Sequence, residues 1–139
     1  MSENYSEWEK QQHQRHWDCY VTMKQWLQNR NDGKTIADYF EKCPYKTVAI
    51  YGAGDLGKLL LYELKDASLQ ISYIIDRSAQ GRSMLQGIPM IMASGIKKQD
   101  RVDAIIVTPL NDYVEVSKEL VFQGIDIPTV SLRDIIYEM

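Results

Sequence analysis

The chain has 139 residues and is poor in the features that mark several specialised classes. Its only two cysteines, Cys19 and Cys43, lack C-x-x-C spacing and fall far below the density of a secreted disulfide scaffold, so both read as buried or half-buried thiols. No stretch approaches the roughly eighteen apolar residues that span a bilayer. The N-terminus MSENYSEWEKQQ has no apolar core of the signal-peptide kind, and the expected location is the cytoplasm. Excess positive charge is missing too. Sixteen Lys and Arg against nineteen Asp and Glu give a formal charge of -3 and a pI near 5.4, which removes the footprint of a nucleic-acid binder.

Motifs of catalysis are equally scarce. No serine lies in a G-x-S-x-G elbow, so a hydrolytic triad has no local support. His13 and His16 have the i, i+3 spacing of a chelating pair, but no further ligand is placed to complete a metal site, and they read as surface histidines. Tyr20-Val-Thr-Met-Lys24 copies the Tyr-x-x-x-Lys spacing of a dehydrogenase proton relay, yet it precedes every strand instead of following the first ones.

What remains is an ordinary globular composition, 45% hydrophobic and 25% charged, organised in two stretches. Residues 1–45 form a helical extension that holds Trp8, Trp17 and Trp26. Between Tyr5 and Arg30 neither proline nor glycine interrupts, and Trp17, Tyr20, Val21, Lys24 and Leu27 recur at helical spacing. The expectation is that this stripe packs on the sheet of its own chain, with a homodimer surface as the alternative. Gly33 closes that helix, and Thr35-Ile-Ala-Asp38 opens a short second one that ends near Cys43, before Pro44.

From residue 46 to 139 the pattern alternates strand and helix. Strands are expected at Thr47–Tyr51, Ile71–Ile75, Gly87–Met92, Val102–Val107 and Thr129–Leu132, with Pro89 confining the third to a sheet edge. Helices are expected at 55–66, 113–122 and 134–138. The implied fold class is α/β, one three-layer domain with a parallel sheet of order 3-2-1-4-5.

The first strand runs into Tyr51-Gly-Ala-Gly-Asp-Leu-Gly57, a G-x-G-x-x-G turn with the strand before it and the helix after it that the motif requires. Gly52 makes the tight turn, Gly54 leaves room for an approaching pyrophosphate and Gly57 lets helix and sheet come close. Amides at the helix start then face an anion, favoured by the helix dipole, and those of Ala53, Gly54 and Leu56 are free for it where the Asp55 side chain turns outward. Asp76 ends the second strand at about the separation of a ribose-binding carboxylate, and Arg77 beside it suits a base or a 2′-phosphate. Thr108 and Asn111, at the carboxyl edge of the sheet, line the same site, although Asn111 also suits a helix cap. Asp55 works against the arrangement, because its carboxylate is able to cap the helix and repel a phosphate.

The runs GKTIADYF, KTVAIYGAGDLGKLLLYELK, ISYIIDR, GIPMI and VDAIIVT resemble Rossmann-like domains of bacterial polysaccharide-biosynthesis proteins. Among these are the nucleotide-sugar-binding N-terminal domains of sugar acyltransferases and the CoA-binding-like domain that precedes sugar epimerase/dehydratases. The resemblance spans about residues 33–136. It implies a nucleoside-diphosphate sugar or NAD(P) as ligand and an enzyme of surface-polysaccharide assembly as partner, and it carries no catalytic residues over. Three functions follow as expectations: an accessory nucleotide-binding module, an NAD(P)-dependent epimerase, dehydratase or oxidoreductase subunit completed by another chain, and an interaction scaffold whose nucleotide site has decayed.

Overall fold

The switch from helical to strand periodicity at Lys46 is realised as two helices followed by an alternating α/β unit. The computed structural model describes residues 6–81 and 83–139; Tyr5 lies outside them. Helix α1 (Glu7–Asn31) starts at Ser6, whose hydroxyl accepts the Glu9 amide at 3.1 Å, and α2 (Ile36–Glu41) starts at Thr35, which takes the Asp38 amide in the same way. Then follow β1 (Thr47–Tyr51), α3 (Asp55–Leu64), β2 (Gln70–Ile75), β3 (Met84–Leu85) and β4 (Ile88–Ile91). A 3-10 turn at Ala93–Lys98 leads to β5 (Ala104–Val107), α4 (Tyr113–Phe122), β6 (Thr129–Ser131) and α5 (Leu132–Glu138).

The sheet order is β3-β4-β2-β1-β5-β6. Its five long-range strands reproduce the expected 3-2-1-4-5 order, all paired parallel, which makes the fold Rossmann-like. The addition is β3, an antiparallel edge strand against β4 that turns a parallel sheet into a mixed one. Gln86, at φ 52, and Gly87, at φ 79, make the two-residue turn between them, a twist that suits a tight hairpin. Several boundaries move, β5 starting at Ala104 instead of Val102 among them. Leu132 begins α5 instead of ending the last strand, and α3 stops at Leu64.

β1 and β5 are buried on both faces, as strands covered by helices must be. On one side Val48, Ile50, Ile74 and Ile106 pack with Leu60 and Leu64 of α3 and Ile135 of α5; on the other, Ala49, Tyr73, Ile105 and Val107 meet Val116 and Leu120 of α4. At the amino edge of the sheet Asp103 accepts the amides of Lys46 and Thr47, at 2.7 and 3.0 Å, and ties β1 to the loop before β5.

Helix α1 corrects an expectation. Its aromatic stripe does not pack on the sheet: Trp17, Tyr20 and Leu27 are 56–60% exposed. The side facing the domain is mostly polar. Asn29 is buried and its amide donates to Ile136 O at 2.8 Å, Asp18 faces Arg133 at 3.8 Å, and Trp26 is the one large apolar side chain of α1 in the core. The Trp26 indole nitrogen donates to the Glu63 carboxylate at 3.1 Å, which also accepts the Ile36 amide. The physical reason is that α1 lies over α5 and against Glu63 of α3, where the Ile136 carbonyl and the Arg133 and Glu63 charges need polar partners, and not over the apolar sheet face. Among the described residues no helix is long and apolar enough to cross a membrane.

Candidate functional site

The carboxyl edge of the sheet is built by three successive backbone bonds. Gly52 N–H donates to Ile75 O at 2.8 Å, Asp76 N–H to Ile91 O at 2.9 Å and Thr108 N–H to Tyr51 O at 3.0 Å. The chain leaves β1 through Gly52 at φ 104, a conformation that side chains resist, and a Cβ there would meet Thr108 Oγ1 at 2.5 Å. A Cβ on Gly57 would overlap the carbonyl oxygen of Gly52, so the first turn of α3 rests directly against the turn that precedes it.

Gly54 is different. Nothing lies within 4 Å of where its Cβ would stand. It is the N-cap of α3 and offers no side-chain cap, and the first intrahelical bond runs from Lys58 N–H to Gly54 O at 3.0 Å. The amides of Asp55, Leu56 and Gly57 therefore precede the helix ladder. Asp55 is exposed and supplies no cap. Of the two arrangements open to Asp55, capping the helix start or leaving it, its carboxylate accepts none of the amides that follow it.

One expectation changes, since the Ala53 amide is not free. It donates to Asp76 Oδ1 at 3.0 Å, and Asp76 Oδ2 accepts both the amide of Ser78, at 3.0 Å, and its hydroxyl. Burial alone would push the Asp76 carboxyl up. The Ser78 hydroxyl, the amides of Ala53 and Ser78 and the Arg77 charge outweigh it and hold the group below its ordinary value. A carboxylate has about four acceptor positions. Three are in use, leaving one for a ribose hydroxyl unless Ser78 turns away. Ser78 escaped the sequence reading, though Asp-x-Ser is the pattern of a local side-chain turn.

Thr108 is buried behind the turn, its hydroxyl donating to Tyr51 O at 2.8 Å and lying 3.3 Å from Gly52 O. It braces Gly52 from below. Asn111 neither caps α4, whose N-cap is Asp112, nor joins the glycine turn; it accepts Arg133 of α5 at 3.1 Å. Arg77 is exposed beside Asp76. The structure thus gathers Gly52, Ala53, Gly54, Asp55, Leu56, Gly57, Asp76 and Thr108 around one turn and assigns Asn111 to another. A cleft of about 400 Å³ lined by Phe40, Tyr45, Thr47 and Gln70 opens at the opposite, amino edge of the sheet.

No protein-family model and no curated protein matches the chain. Among solved structures it is similar to the crystal structure of UDP-D-quinovosamine 4-dehydrogenase from Vibrio fischeri, at 20% identity and a TM-score of 0.47, over 68% of this chain and 85% of that one.

Proposed function

We propose that the chain is a nucleotide-binding module that takes the diphosphate of a nucleoside-diphosphate sugar or of NAD(P) at the start of α3. One observation carries the reading: at Gly54 the space beyond the backbone is empty, directly before helix amides that no side chain caps. Such amides, at the positive end of a ten-residue helix, favour a doubly charged group. Asp76 holds one ribose hydroxyl through its remaining acceptor position, and Arg77 stands beside it for the base or a 2′-phosphate. The module has no catalysis of its own in this reading. Its partner class is an enzyme of surface-polysaccharide assembly, which is what the sequence resemblance implies.

Calorimetry of the full chain with UDP-sugars, NAD and NADP tests this. Heat on adding a UDP-sugar supports the accessory module, and heat on adding a dinucleotide supports an oxidoreductase or epimerase subunit completed by another chain. Gly54→Val is expected to abolish binding while leaving the circular dichroism spectrum unchanged; equal affinity in the variant would remove the turn from the site. A second reading has its own observation. The Ala53 and Ser78 bonds already engage most of Asp76, as in a scaffold whose site has decayed, and that reading requires no heat with any of these ligands.

A further inference from the structure

Helix α1 turns a mostly polar side toward its own domain and leaves large apolar side chains on its solvent side, with His13 and His16 among them. Helical periodicity places Tyr20 and Leu27 along one outward line, with Trp17 and Met23 beside them, opposite buried Thr22 and Asn29. The Trp17 and Tyr20 rings already touch, their centroids 5.6 Å apart and their planes tilted by 36°. An apolar groove of about 310 Å³ continues this face between α1 and α3, lined by Met23, Trp26, Leu27, Arg30, Leu59 and Tyr62.

We infer that a second copy of this chain covers this face, its α1 running antiparallel to the first. Charge decides the direction. Glu9 sits at one end of the outward line, and Lys24 stands toward the other, near Arg30, which faces Glu63 of its own chain at 3.5 Å. An antiparallel copy sets each Glu9 beside the partner's basic end, whereas a parallel one sets like charges together.

Shape gives the same answer independently. Trp8 is 67% exposed and, eighteen residues before Trp26, lies on the same side of α1 as the groove, ~27 Å toward the N-terminus. A two-fold axis between antiparallel helices keeps sides and exchanges ends. It brings each Trp8 to the partner's groove, near Arg30 and Tyr62, and a parallel pair brings them to neither. The exposed parts of these side chains offer roughly 600 Å² per copy, so the pair reaches the lower range of specific interfaces. This pairing does not depend on what binds at the glycine turn.

Light scattering on the full chain tests it, with an expected mass of twice 16.1 kDa. Tyr20→Glu is expected to give the single mass, and Trp8→Ala to weaken the dimer at least about 100-fold, because symmetry removes two anchors at once. Both residues are exposed, so circular dichroism stays unchanged, while the urea midpoint falls by whatever pairing contributes to the folded chain. Glu9→Lys and Lys24→Glu each weaken pairing, and the double variant restores it. A wild-type mass of 16.1 kDa at concentrations on the order of 100 µM overturns the inference, whether or not that monomer binds anionic vesicles. A dimer indifferent to Trp8→Ala and to the charge exchange overturns the antiparallel arrangement.

Discussion

Two turns at the carboxyl edge of the sheet follow buried strands and lead into ten-residue helices, yet they are held in opposite ways. The turn from β1 to α3 is held mainly by close main-chain approach, with Asp76 on the Ala53 amide and the Thr108 hydroxyl on Tyr51 O beside it. Gly52 and Gly57 approach within a distance no side chain tolerates, and Gly54 faces open space. The turn from β5 to α4 is held by side chains: Asp112 meets Arg15 of α1 at 3.0 Å, Asn111 meets Arg133 of α5, and the Tyr113 hydroxyl donates to Thr129 O at 3.0 Å. Topology offers both turns the same position. Both helices start without a side-chain cap, but only the first turn leaves open space before those amides, at Gly54; the other spends its polar groups on fastening two helices to the domain.

The sharpest way to break this contrast is to add one methyl group where the main chain does the holding. Gly57→Ala drives a Cβ into the Gly52 carbonyl, and an expected loss of about 3 kcal/mol should appear as a lower urea midpoint. A midpoint within experimental error of wild type would show that the two turns are not differently built. Thr108→Val keeps the shape but removes the donor to Tyr51 O; about 1 kcal/mol of destabilisation is expected from the same denaturation series.

Acid probes the link between the glycine turn and β2. The folded-state pKa of Asp76 lies below its ordinary value of 3.8, so its contribution is complete above the unfolded pKa and is lost as pH falls through the folded one. The stability gap between wild type and Asp76→Asn should therefore be constant near neutrality and shrink below about pH 4. A gap that persists unchanged into strong acid would mean that the carboxylate does not fasten Ala53. The smallest effect belongs to the side-chain-held turn. Arg15→Ala removes an exposed ion pair and should cost under about 1 kcal/mol, less so in high salt, a difference that thermal melts at two ionic strengths resolve.

Much of this architecture was legible in local pattern. The β-branched run Thr47–Tyr51, the glycine spacing after it and the helix start at Asp55 depend on neighbours within a few residues, and each formed where its pattern placed it. The edge strand β3 did not announce itself, because two residues carry no periodicity and Met84–Leu85 becomes a strand only through Ile88–Ile91. The Ala53–Asp76 bond was hidden for a related reason, since it joins atoms 23 residues apart that only the β1–β2 pairing brings together. Ser78 was readable from its spacing to Asp76, but the sequence does not say that Asp76 would be claimed from both sides.

Hydrophobic periodicity and glycine placement, which act over one turn or one strand, determined that this chain makes a parallel α/β sheet with a side-chain-free turn after its first strand. Which way α1 faces could be decided only in three dimensions. A helix stripe records that apolar residues share a side, while the partner for that side depends on what the rest of the fold offers. Here the fold offered α1 the Ile136 carbonyl and Arg133 of α5 and the Asp112 carboxylate before α4, which engaged Asn29, Asp18 and Arg15, and so turned Trp17, Tyr20 and Leu27 toward solvent.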